Sequence, residues 1–416
     1  MITEASSIPI GSMVPLSGAS AADGREFRNG IILAIEEINA FGGIHGRSLT
    51  PFFYDTRNQS ADEVTSAARY LINKHSVHAI INGYNIGSQN AEYEPVADSG
   101  IIYIHHNTLI QHHDTFMGNP ERYFGCFMSD PADYWYGQGF IKFISWLRDS
   151  GRWRPESNRL AIISGSRSYS IVTANAMRSS AADFGWSVCF GPEIVRTPTT
   201  EWQLAIDRAR ETRPAILANT HFYASDLAHF QRQFARKPIN CLVYLQWGGM
   251  HKTFLDIANS SAEGVIIGTV VGLVHDSEGI AFSHRYRARF GPNSTPEVGA
   301  LSYSSMHHYA LAAGIAGGTG APYEFNQNRK VAQRLKSLIY RSVLGTIHYH
   351  PDWQAAVPYP DAISDPSRGM PHLFYQVRDN GTKLGIIAPE PYTTGKFQIP
   401  PWYRSTSTPD SGVRPD

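Results

Sequence analysis

Short apolar runs alternate with longer amphipathic segments along the first part of the chain. In the segment 23–40, Phe27, Ile31 and Ala34 fall on one face at helical spacing, and the run 49–55 is apolar and aromatic, as in a buried strand. This pattern predicts strands and helices in alternation: strands at 8–16, 49–55, 78–82 and 101–105, and helices at 23–40, 61–74 and 89–98. Short strands separated by helices indicate parallel sheets with crossover helices.

A second series of the same kind follows. It predicts helices at 132–149, 169–184, 202–212 and 224–235, and strands at 160–164, 187–194, 215–219 and 241–245. We therefore predict an α/β protein with two lobes, each built on a doubly wound parallel sheet. Segments that contain Gly and Pro near 129–131, 270–279 and 345–351 are the expected crossings between the lobes.

These crossings give the expected domain organisation. The first lobe takes residues 1–129 and 275–346, and the second takes 130–274 and 347–400. Within the second, Asp379-Asn380-Gly381 separates two strand-like runs and predicts a hairpin. The tail 401–416 is polar and is expected to be disordered.

Three glycines in the stretch EEINAFGGIHGR could be mistaken for a phosphate-binding loop. Such a loop follows a strand and opens a helix, because the helix N-terminus supplies free N–H groups to the anion. Gly42, Gly43 and Gly46 instead follow a predicted helix and precede a predicted strand. We interpret them as a turn that needs positive φ angles.

Composition limits the partners of the protein. Lys and Arg together number 36, as do Asp and Glu, so no overall positive charge favours nucleic acid or an anionic membrane. We find no apolar run long enough to span a membrane, and we expect no direct membrane insertion. The N-terminus has no signal-peptide pattern, and we expect that a signal for export to the periplasm was removed and replaced by a start methionine.

The cysteines and histidines do not predict a metal site or a cofactor. Cys126, Cys189 and Cys241 have neither metal-ligand spacing nor an even count, and each lies in an apolar run. His348 and His350 could share one face of a strand and bind a metal, but a histidine that is exposed or hydrogen-bonded is the commoner case. We expect no metal and no cofactor.

Several motifs resemble, in order, those of a known family. These are IPIGSMVPLSG, GIILAIEEINAFGGIHGR and FFYDTRNQSADEVTSAARYLI. They are similar to the first strand, the first helix with its glycine turn, and the second strand and helix of type I periplasmic substrate-binding proteins of the leucine/isoleucine/valine-binding family, which includes amide- and urea-binding relatives. The resemblance covers roughly residues 8–390. It implies two α/β lobes joined by three crossings, a ligand cleft between them and no catalysis.

Strand ends of the first lobe carry the first group of candidate ligand residues. In open parallel sheets, ligands bind beyond the carboxyl ends of the strands. Three turns meet this description; Ser17 lies in the first, and His105 ends the strand before the third. In the second and third turns, the resemblance to the family implies ligand contacts at Tyr84, Asn85, Gly87, Ser88, His106, Asn107 and Thr108. Ser88 is predicted to head a helix, where its hydroxyl could bind a ligand oxygen or simply cap the helix. His105 and His106 end a strand and could donate to the ligand.

Strand ends of the second lobe carry the second group. Tyr169, His221, Phe222 and Trp247 are candidates for stacking on a ligand, although aromatic side chains also serve in packing, which we favour for Phe222. Tyr303 matches a family position near the hinge and could equally cover its own helix.

One departure from the family pattern bears on the ligand. Amino-acid-binding members pair the ligand's ammonium with an acidic group, whereas the turn GSRSYS supplies Arg167. Asp133 and Asp226 remain possible acidic partners, but each also fits the start of a helix. The sequence therefore favours a neutral or anionic, partly flat ligand, such as an amide or an aromatic acid, over a branched-chain amino acid.

The expected function is that of a solute-binding protein. It would close two lobes around a small polar molecule and present the closed form to the membrane permease of an ABC transporter. The alternative is a cytosolic ligand sensor with the same fold, acting in amide or amino-acid metabolism. An enzyme is disfavoured, because the sequence contains no Gly-x-Ser-x-Gly elbow, His-Glu-x-x-His helix or Walker loop.

Overall fold

The computed structural model describes residues 7–85 and 87–404. By their internal contacts they divide into two compact units. The first unit contains the described residues up to Trp135, together with Val270–Leu373 and Pro389–Tyr392. The second contains Tyr136–Thr269, Phe374–Ala388 and the described residues from Thr393 onward.

The elements alternate as the apolar pattern predicts. The strands are β1 Ile8–Val14, β2 Leu49–Asp55, β3 Ala79–Ile81, β4 Ile102–His105, β5 Cys126–Met128, β6 Arg159–Gly165, β7 Ser187–Val195, β8 Ile216–Asn219, β9 Leu242–Gln246, β10 Ile266–Thr269, β11 Tyr340–Ser342, β12 Gly345–Ile347, β13 Pro358–Tyr359, β14 Met370–Pro371, β15 Leu373–Arg378 and β16 Lys383–Ala388. The helices are α1 Ala21–Ala40, α2 Ala61–His75, α3 Tyr93–Ser99, α4 Gln111–Gly118, α5 Tyr134–Asp149, α6 Ser168–Ala181, α7 Gln203–Glu211, α8 Ala224–Arg236, α9 Lys252–Ala258, α10 Ser277–Phe290, α11 Pro296–Ile315 and α12 Phe325–Ser337.

The main sheet of the first unit has the strand order β2-β1-β3-β4-β5 in the described chain. Every neighbouring pair in it is parallel, so the carboxyl ends of the strands lie at one edge of the sheet. Its core includes Met13, Leu71, Ile80 and Val96, all of which are buried. This arrangement places the loops after β3, β4 and β5 side by side.

The main sheet of the second unit has the order β16-β15-β10-β9-β8-β6-β7 in the described chain. The strands from β10 to β7 in this order pair in parallel, whereas β15 and β16 are antiparallel. Phe143 of α5 stacks on Phe374 of β15, with ring centroids 4.0 Å apart. The fold class is confirmed: the protein is α/β, with parallel strands dominating both main sheets.

The glycines of EEINAFGGIHGR form a turn between α1 and β2, as predicted. Gly42, Gly43 and Gly46 have φ angles of 95°, 68° and 79°. A Cβ at Gly43 would lie 2.0 Å from the Arg47 carbonyl oxygen, so this turn admits no side chain at that position. It connects a helix to a strand, and it does not open a helix.

The structure corrects the expected crossings. Residues 347–373, expected in the second lobe, lie in the first unit, where Ala355 bridges to Met128 at the end of β5. Gln354 holds this segment in place, because its Nε2 donates to the carbonyl oxygens of Phe124 and Cys126 at 3.1 and 2.9 Å. The unit boundaries fall after Trp135, Thr269 and Leu373, and Pro389–Tyr392 returns to the first unit.

The C-terminal part agrees with the predicted hairpin. Asp379, Asn380 and Gly381 all have positive φ angles and connect the antiparallel strands β15 and β16. Of the tail 401–416, for which disorder was expected, residues 405–416 lie outside the described residues.

Candidate functional site

The carboxyl ends of β3, β4 and β5 carry a set of buried polar side chains in the first unit. We call it the first strand-end cluster and define it as Asn85, Glu92, His106, Asn107, Thr108 and Asp130. It forms because neighbouring parallel strands end at the same edge of the sheet, and each is followed by a loop of polar residues.

Asn85 connects β1 with the loops after β2 and β4. Its Nδ2 donates to the Met13 carbonyl oxygen at 3.0 Å, and its Oδ1 accepts from the Thr56 hydroxyl at 2.9 Å. Its backbone N–H donates to Asn107 Oδ1 at 2.8 Å. The ligand contact predicted for Asn85 stays a prediction; in the described structure its bonds hold neighbouring segments together.

A hydrogen bond joins the side chains of Asn107 and Glu92 in this cluster. Asn107 Nδ2 donates to Glu92 Oε1 and to Asn90 Oδ1, both at 3.0 Å, and the Tyr103 hydroxyl donates to Glu92 Oε1 at 2.8 Å. Burial raises the pKa of Glu92. These bonds use both side-chain ends of Asn107, so it too supports the loops.

The hydroxyl groups of Ser88 and Thr108 already donate within the unit. Ser88 Oγ donates to the Asn85 carbonyl oxygen at 2.7 Å and accepts from the Asn90 N–H at 3.2 Å. The expected helix start at Ser88 is corrected, because α3 begins at Tyr93 and turns precede it. Thr108 Oγ1 donates to Asp130 Oδ2 at 2.6 Å.

His105 belongs to a buried chain of hydrogen bonds. Its Nε2 lies 2.5 Å from the Tyr93 hydroxyl oxygen, which lies 2.6 Å from His112 Nδ1. Its Nδ1 accepts from the Asn107 N–H at 3.1 Å. Burial lowers the pKa of His105 well below its usual value. Both ring nitrogens therefore have partners, which fits packing better than ligand binding.

His106 and Asp130 each have an unpaired buried atom, as Glu92 has at Oε2. His106 Nε2 faces the Leu301 carbonyl oxygen at 3.2 Å and Ser305 Oγ at 2.9 Å, while its Nδ1 lies 3.8 Å from Asp130 Oδ2. Both side chains are fully buried, yet His106 Nδ1 and Asp130 Oδ1 have no hydrogen-bond partner among the described residues. Burial lowers the pKa of His106 to about 3 and raises that of Asp130.

Asp130 was not among the residues predicted from the sequence. It follows β5, a strand of three residues that the apolar pattern did not reveal. Had this strand been recognised, the strand-end rule would have indicated Asp130.

Three further predicted residues border this edge of the sheet. Ser17 is exposed and its hydroxyl donates to Asp55 Oδ2 at 2.7 Å. Tyr84 is partly exposed, and its hydroxyl donates to Asp23. Gly87 is exposed, and a Cβ there would lie 2.7 Å from a backbone carbonyl oxygen. Of these, Tyr84 also packs edge to face on Phe27, with ring centroids 5.1 Å apart.

Tyr303 lies in a different polar group of the first unit. Its hydroxyl donates to Glu37 Oε2 at 2.6 Å and accepts from Arg285 at 3.3 Å. Burial acts to raise the pKa of Glu37, but hydrogen bonds from His307, Tyr303 and Arg285 outweigh it and lower the pKa to about 2. Tyr303 thus joins α11 to α1 and α10, and the structure does not bring its hydroxyl together with the first strand-end cluster.

The carboxyl ends of β6, β8 and β9 carry a corresponding set in the second unit. We call it the second strand-end cluster and define it as Tyr169, Asn219, His221, Gln246 and Trp247. These strands are neighbours in the sheet, so their ends lie at one edge. All of these side chains are buried.

The amide groups in this cluster are oriented by internal bonds. Asn219 Oδ1 accepts from the His221 N–H at 3.0 Å, and Gln246 Oε1 accepts from the Tyr169 hydroxyl at 2.7 Å. Asn219 Nδ2 and Gln246 Nε2 have no hydrogen-bond partner among the described residues. Neither residue was predicted, although both lie in the stretches NTHFYAS and LQWGG that indicated this edge.

Trp247 adds a third donor without a partner. Its Nε1 has none within the described part of the chain, and the side chain is only 7% exposed. The predicted Phe222 packs edge to face on Tyr169, with centroids 5.5 Å apart. The predicted His221 has both ring nitrogens in contact, since Nδ1 accepts from the Tyr223 N–H at 3.1 Å and Nε2 lies 3.2 Å from Asp226 Oδ2.

Asp133 and Asp226, considered earlier as acidic partners of a ligand, accept hydrogen bonds from backbone N–H groups near the starts of helices. Asp226 accepts from the Thr199 N–H at 2.7 Å, and the bonds from His221 and Thr199 outweigh burial and lower its pKa. Asp133 Oδ1 accepts from the N–H groups of Ile110 and Tyr134 at 3.2 and 3.0 Å. Arg167 is exposed at the start of α6.

The histidines considered as metal ligands have other contacts. His348 Nδ1 lies 3.2 Å from the Arg368 carbonyl oxygen, and His350 stacks on Trp353 with centroids 3.6 Å apart. Across residues 7–85 and 87–404, no group of three or more His, Cys, Asp or Glu side chains is arranged to hold a metal ion. No helix of this part of the chain is long and apolar enough to cross a membrane.

Comparison with known proteins gives one family. A family model described as periplasmic binding protein matches residues 7–360. A solved structure described as a candidate branched-chain amino acid ABC transporter from Silicibacter pomeroyi is 42% identical in sequence and has a TM-score of 0.91. The match covers 95% of this chain and 100% of that one.

More distant structures share the fold. The branched-chain amino acid transporter substrate binding protein LivJ from Streptococcus pneumoniae, in complex with isoleucine, is 19% identical over 92% of this chain and 100% of that chain, with a TM-score of 0.71. A solute binding protein from R. palustris in complex with benzoate is 14% identical over 92% and 97% of the two chains, with a TM-score of 0.70.

Curated relatives match over a shorter stretch. The Leu/Ile/Val-binding protein homolog 8 from Brucella abortus (strain 2308) is 33% identical over 96 residues. This match spans 23% of this chain and 23% of the relative.

Proposed function

Because this chain belongs to the periplasmic binding protein family, we propose that it is the extracytoplasmic solute-binding component of an ABC transporter. In this role it binds a small polar organic ligand and delivers it to the membrane permease of the transporter. The relative from Silicibacter pomeroyi, which is named for branched-chain amino acid transport, supports an amino-acid-like ligand. In this role the protein binds its ligand and does not catalyse a reaction.

The observation that carries the proposal is the pair of strand-end clusters. Each unit has buried polar atoms without partners at the carboxyl ends of neighbouring parallel strands, which is where open α/β sheets bind ligands. Leaving such atoms unpaired is costly, so a ligand that pairs them would gain affinity. The proposed contacts are His106 and Tyr84 in the first unit and Tyr169 and Trp247 in the second.

A thermal-shift screen tests this function. A ligand that binds only the folded protein raises its stability by RT ln(1 + [L]/Kd). Screening amino acids, amides, urea and aromatic acids should therefore identify compounds that raise the melting temperature. A screen in which none of these classes raises it would contradict the proposed ligand class.

We further propose that the ligand draws the two units together, since contact with both favours a closed form. Small-angle scattering should then show a smaller radius of gyration with a saturating ligand from the screen. A ligand that binds and leaves the radius unchanged would argue for a static pocket.

A further inference from the structure

His105 and His112 of the first unit belong to one chain of buried hydrogen bonds, and the direction of each bond follows from the two ends of the chain. The chain begins at the Asn107 N–H, which can only donate, and His105 Nδ1 accepts from it at 3.1 Å. It ends at the Trp353 carbonyl oxygen, which can only accept and lies 2.5 Å from His112 Nε2. Both ends therefore fix where the protons between them lie.

Tyr93 connects the two histidines. Because His105 Nδ1 is an acceptor, the ring proton of His105 lies on Nε2, which donates to the Tyr93 hydroxyl oxygen at 2.5 Å. Because His112 has its proton on Nε2, the Tyr93 hydroxyl donates to His112 Nδ1 at 2.6 Å. Each ring uses one donor and one acceptor, as only a neutral imidazole can.

A proton taken up by either ring would remove a bond from this chain. A protonated His105 would turn an N–H toward the Asn107 N–H. A protonated His112 would turn an N–H toward the Tyr93 hydroxyl, whose own proton would lose its acceptor. The three side chains are buried, so both the charge and the unpaired donor are costly. Burial accordingly lowers the pKa of His112 to about 3.

Charged and titratable groups face this chain from each element packed around it. They are Glu92 before α3, Tyr103 of β4, His106 after β4, His113 and Asp114 of α4, Tyr123 before β5, Cys126 of β5, Asp130 after β5, and His350 and Asp352 after β12. Burial raises the pKa of Glu92 and of Asp130, which disfavours the anions that could balance a charged ring. The pKa of His105 is lowered by burial and also by the rings of His112 and His106. These surroundings keep both rings neutral.

The Trp353 end of the chain holds a segment that covers one edge of the main sheet. Residues 350–356 run beside β5, where the Met128 N–H donates to the Gln354 carbonyl oxygen and the Ala356 N–H donates to the Met128 carbonyl oxygen, both at 3.0 Å. β5 is the last strand of this sheet in the described chain. The segment therefore pairs with an edge that would otherwise offer unpaired backbone groups.

We propose that His105 and His112 make this attachment sensitive to acid, so that residues 350–356 stay on β5 at neutral pH and come away when either ring takes up a proton. The pKa of His112 is about 3 while the segment is attached and rises toward its ordinary value of 6.5 when the ring meets water. Its contribution to attachment is therefore present above pH 6.5 and is lost as the pH falls toward 3. No ligand takes part, so the inference does not depend on the proposed function.

Two backbone amides report the attachment in the unaltered protein. The N–H groups of Met128 and Ala356 bond across this contact, so they exchange with solvent when the segment comes away. Their protection, measured by NMR against the exchange rate of an unfolded chain at each pH, should fall at least about tenfold between pH 7 and pH 4.5. The buried Ala218 N–H of β8 is the reference and should lose less protection. Protection of Ala356 that stays within about twofold would overturn the inference, and so would an equal fall at Ala218.

His112→Gln assigns the effect to this ring, because glutamine offers an acceptor and N–H donors but does not titrate. In this variant the fall in protection at Ala356 between pH 7 and pH 4.5 should be at least about fivefold smaller than in the unaltered protein. His284→Gln, which replaces an exposed histidine of α10 in the same unit, is the matched control and should keep the full fall. A full fall in His112→Gln would contradict the inference.

NMR of the ring nitrogens tests the chain without any substitution. In the unaltered protein at pH 7 and at pH 5, His105 and His112 should both be neutral with the ring proton on Nε2. A proton on Nδ1 of either ring, or a charged ring at pH 5, would overturn the inference. This measurement decides the matter even if His112→Gln does not fold.

Discussion

Glu37 of α1 receives its partners from two other helices. Arg285 of α10 lies 3.0 Å from one carboxylate oxygen, and Tyr303 and His307 of α11 lie 2.6 and 3.3 Å from the other. These contacts explain why its pKa is low although burial acts against ionisation. They also make the contribution of Glu37 to stability depend on pH.

We expect Glu37→Gln to lower the free energy of unfolding by about 1 to 2 kcal/mol at neutral pH. The folded-state pKa is about 2 against a reference of 4.5, so this contribution is complete above 4.5 and is lost as the pH falls toward 2. Urea unfolding of both proteins between pH 7 and pH 2 measures the difference, which should shrink over that window. The exposed neighbouring pair offers a control: Glu36→Gln, which removes the bond to Arg289, should cost less than about 0.5 kcal/mol. A difference for Glu37→Gln that is constant with pH would contradict this account.

Asn85 connects β1 with the loops after β2 and β4, and this structural role does not depend on a ligand. We expect Asn85→Ala to lower the free energy of unfolding by about 2 to 3 kcal/mol, because it leaves the Met13 carbonyl oxygen and the Thr56 hydroxyl without their partner. Chemical unfolding measures this cost. Asn119→Ala at the exposed end of α4 is the control and should cost about 0.5 kcal/mol or less. An equal effect of the two substitutions would show that Asn85 does not join the loops.

At the scale of elements, α1 and α11 approach closely at two glycines. A Cβ at Gly30 would lie 2.1 Å from the Gly299 carbonyl oxygen and 2.6 Å from Ser302 Oγ. Near the end of α11, by contrast, a Cβ at Gly314 would have no atom within 4 Å among the described residues. Identical substitutions in two packed helices should therefore have opposite effects.

Gly30→Ala should destabilise the protein by about 2 kcal/mol or more, since the helix backbones must move apart. Gly314→Ala should stabilise it by about 0.5 to 1 kcal/mol, because alanine loses less conformational freedom in a helix. Thermal unfolding of both variants gives the comparison. Destabilisation by both would mean that α11 is tightly packed at its end as well.

Physical reasons explain why the sequence predicts some helices and strands correctly and misses or misplaces others. Strands such as β2 and helices such as α2 were predicted correctly, because each is long enough for its apolar residues to show a regular spacing. The start of α3 was placed too early, because Pro95 is tolerated only in the first turn of a helix and so requires the helix to begin near Tyr93. The strand β5 has three residues, too few to show a period.

The site could be predicted in part for the same reason. The edges of both sheets follow from strand ends, and this made His106 and Trp247 candidates, whose contact with a ligand stays a prediction. Which side chains keep an unpaired atom depends on contacts between distant segments, such as that of His106 with Leu301. No local pattern shows that Asn107 is occupied by Glu92 or that Tyr303 binds Glu37.

At the scale of the whole molecule, each unit has a core of its own. Phe143 packs on Phe374 and Phe140 on Tyr244 in the second unit, while Leu71 and Val96 belong to the core of the first. Damage to one core should therefore be confined to the unit that contains it.

We expect Phe143→Ala to cost about 3 to 5 kcal/mol and to increase amide hydrogen exchange in peptides of the second unit, with those of the first unit unchanged. Leu71→Ala should give the reverse pattern. Exchange followed by mass spectrometry tests both variants. An equal rise in exchange across both units would show that they unfold as one.

The division of the chain between the units bears on how the protein is made. The first unit lacks Val270–Leu373 until most of the chain has been synthesised, and the second lacks Phe374–Ala388 for even longer. Domains formed from one continuous segment can fold in turn as they leave the ribosome, the N-terminal one first. Neither unit here is continuous, so translation that stops before residue 373 yields a fragment in which both cores are unfinished. Such truncated products should be degraded, and they should not accumulate as half-active proteins.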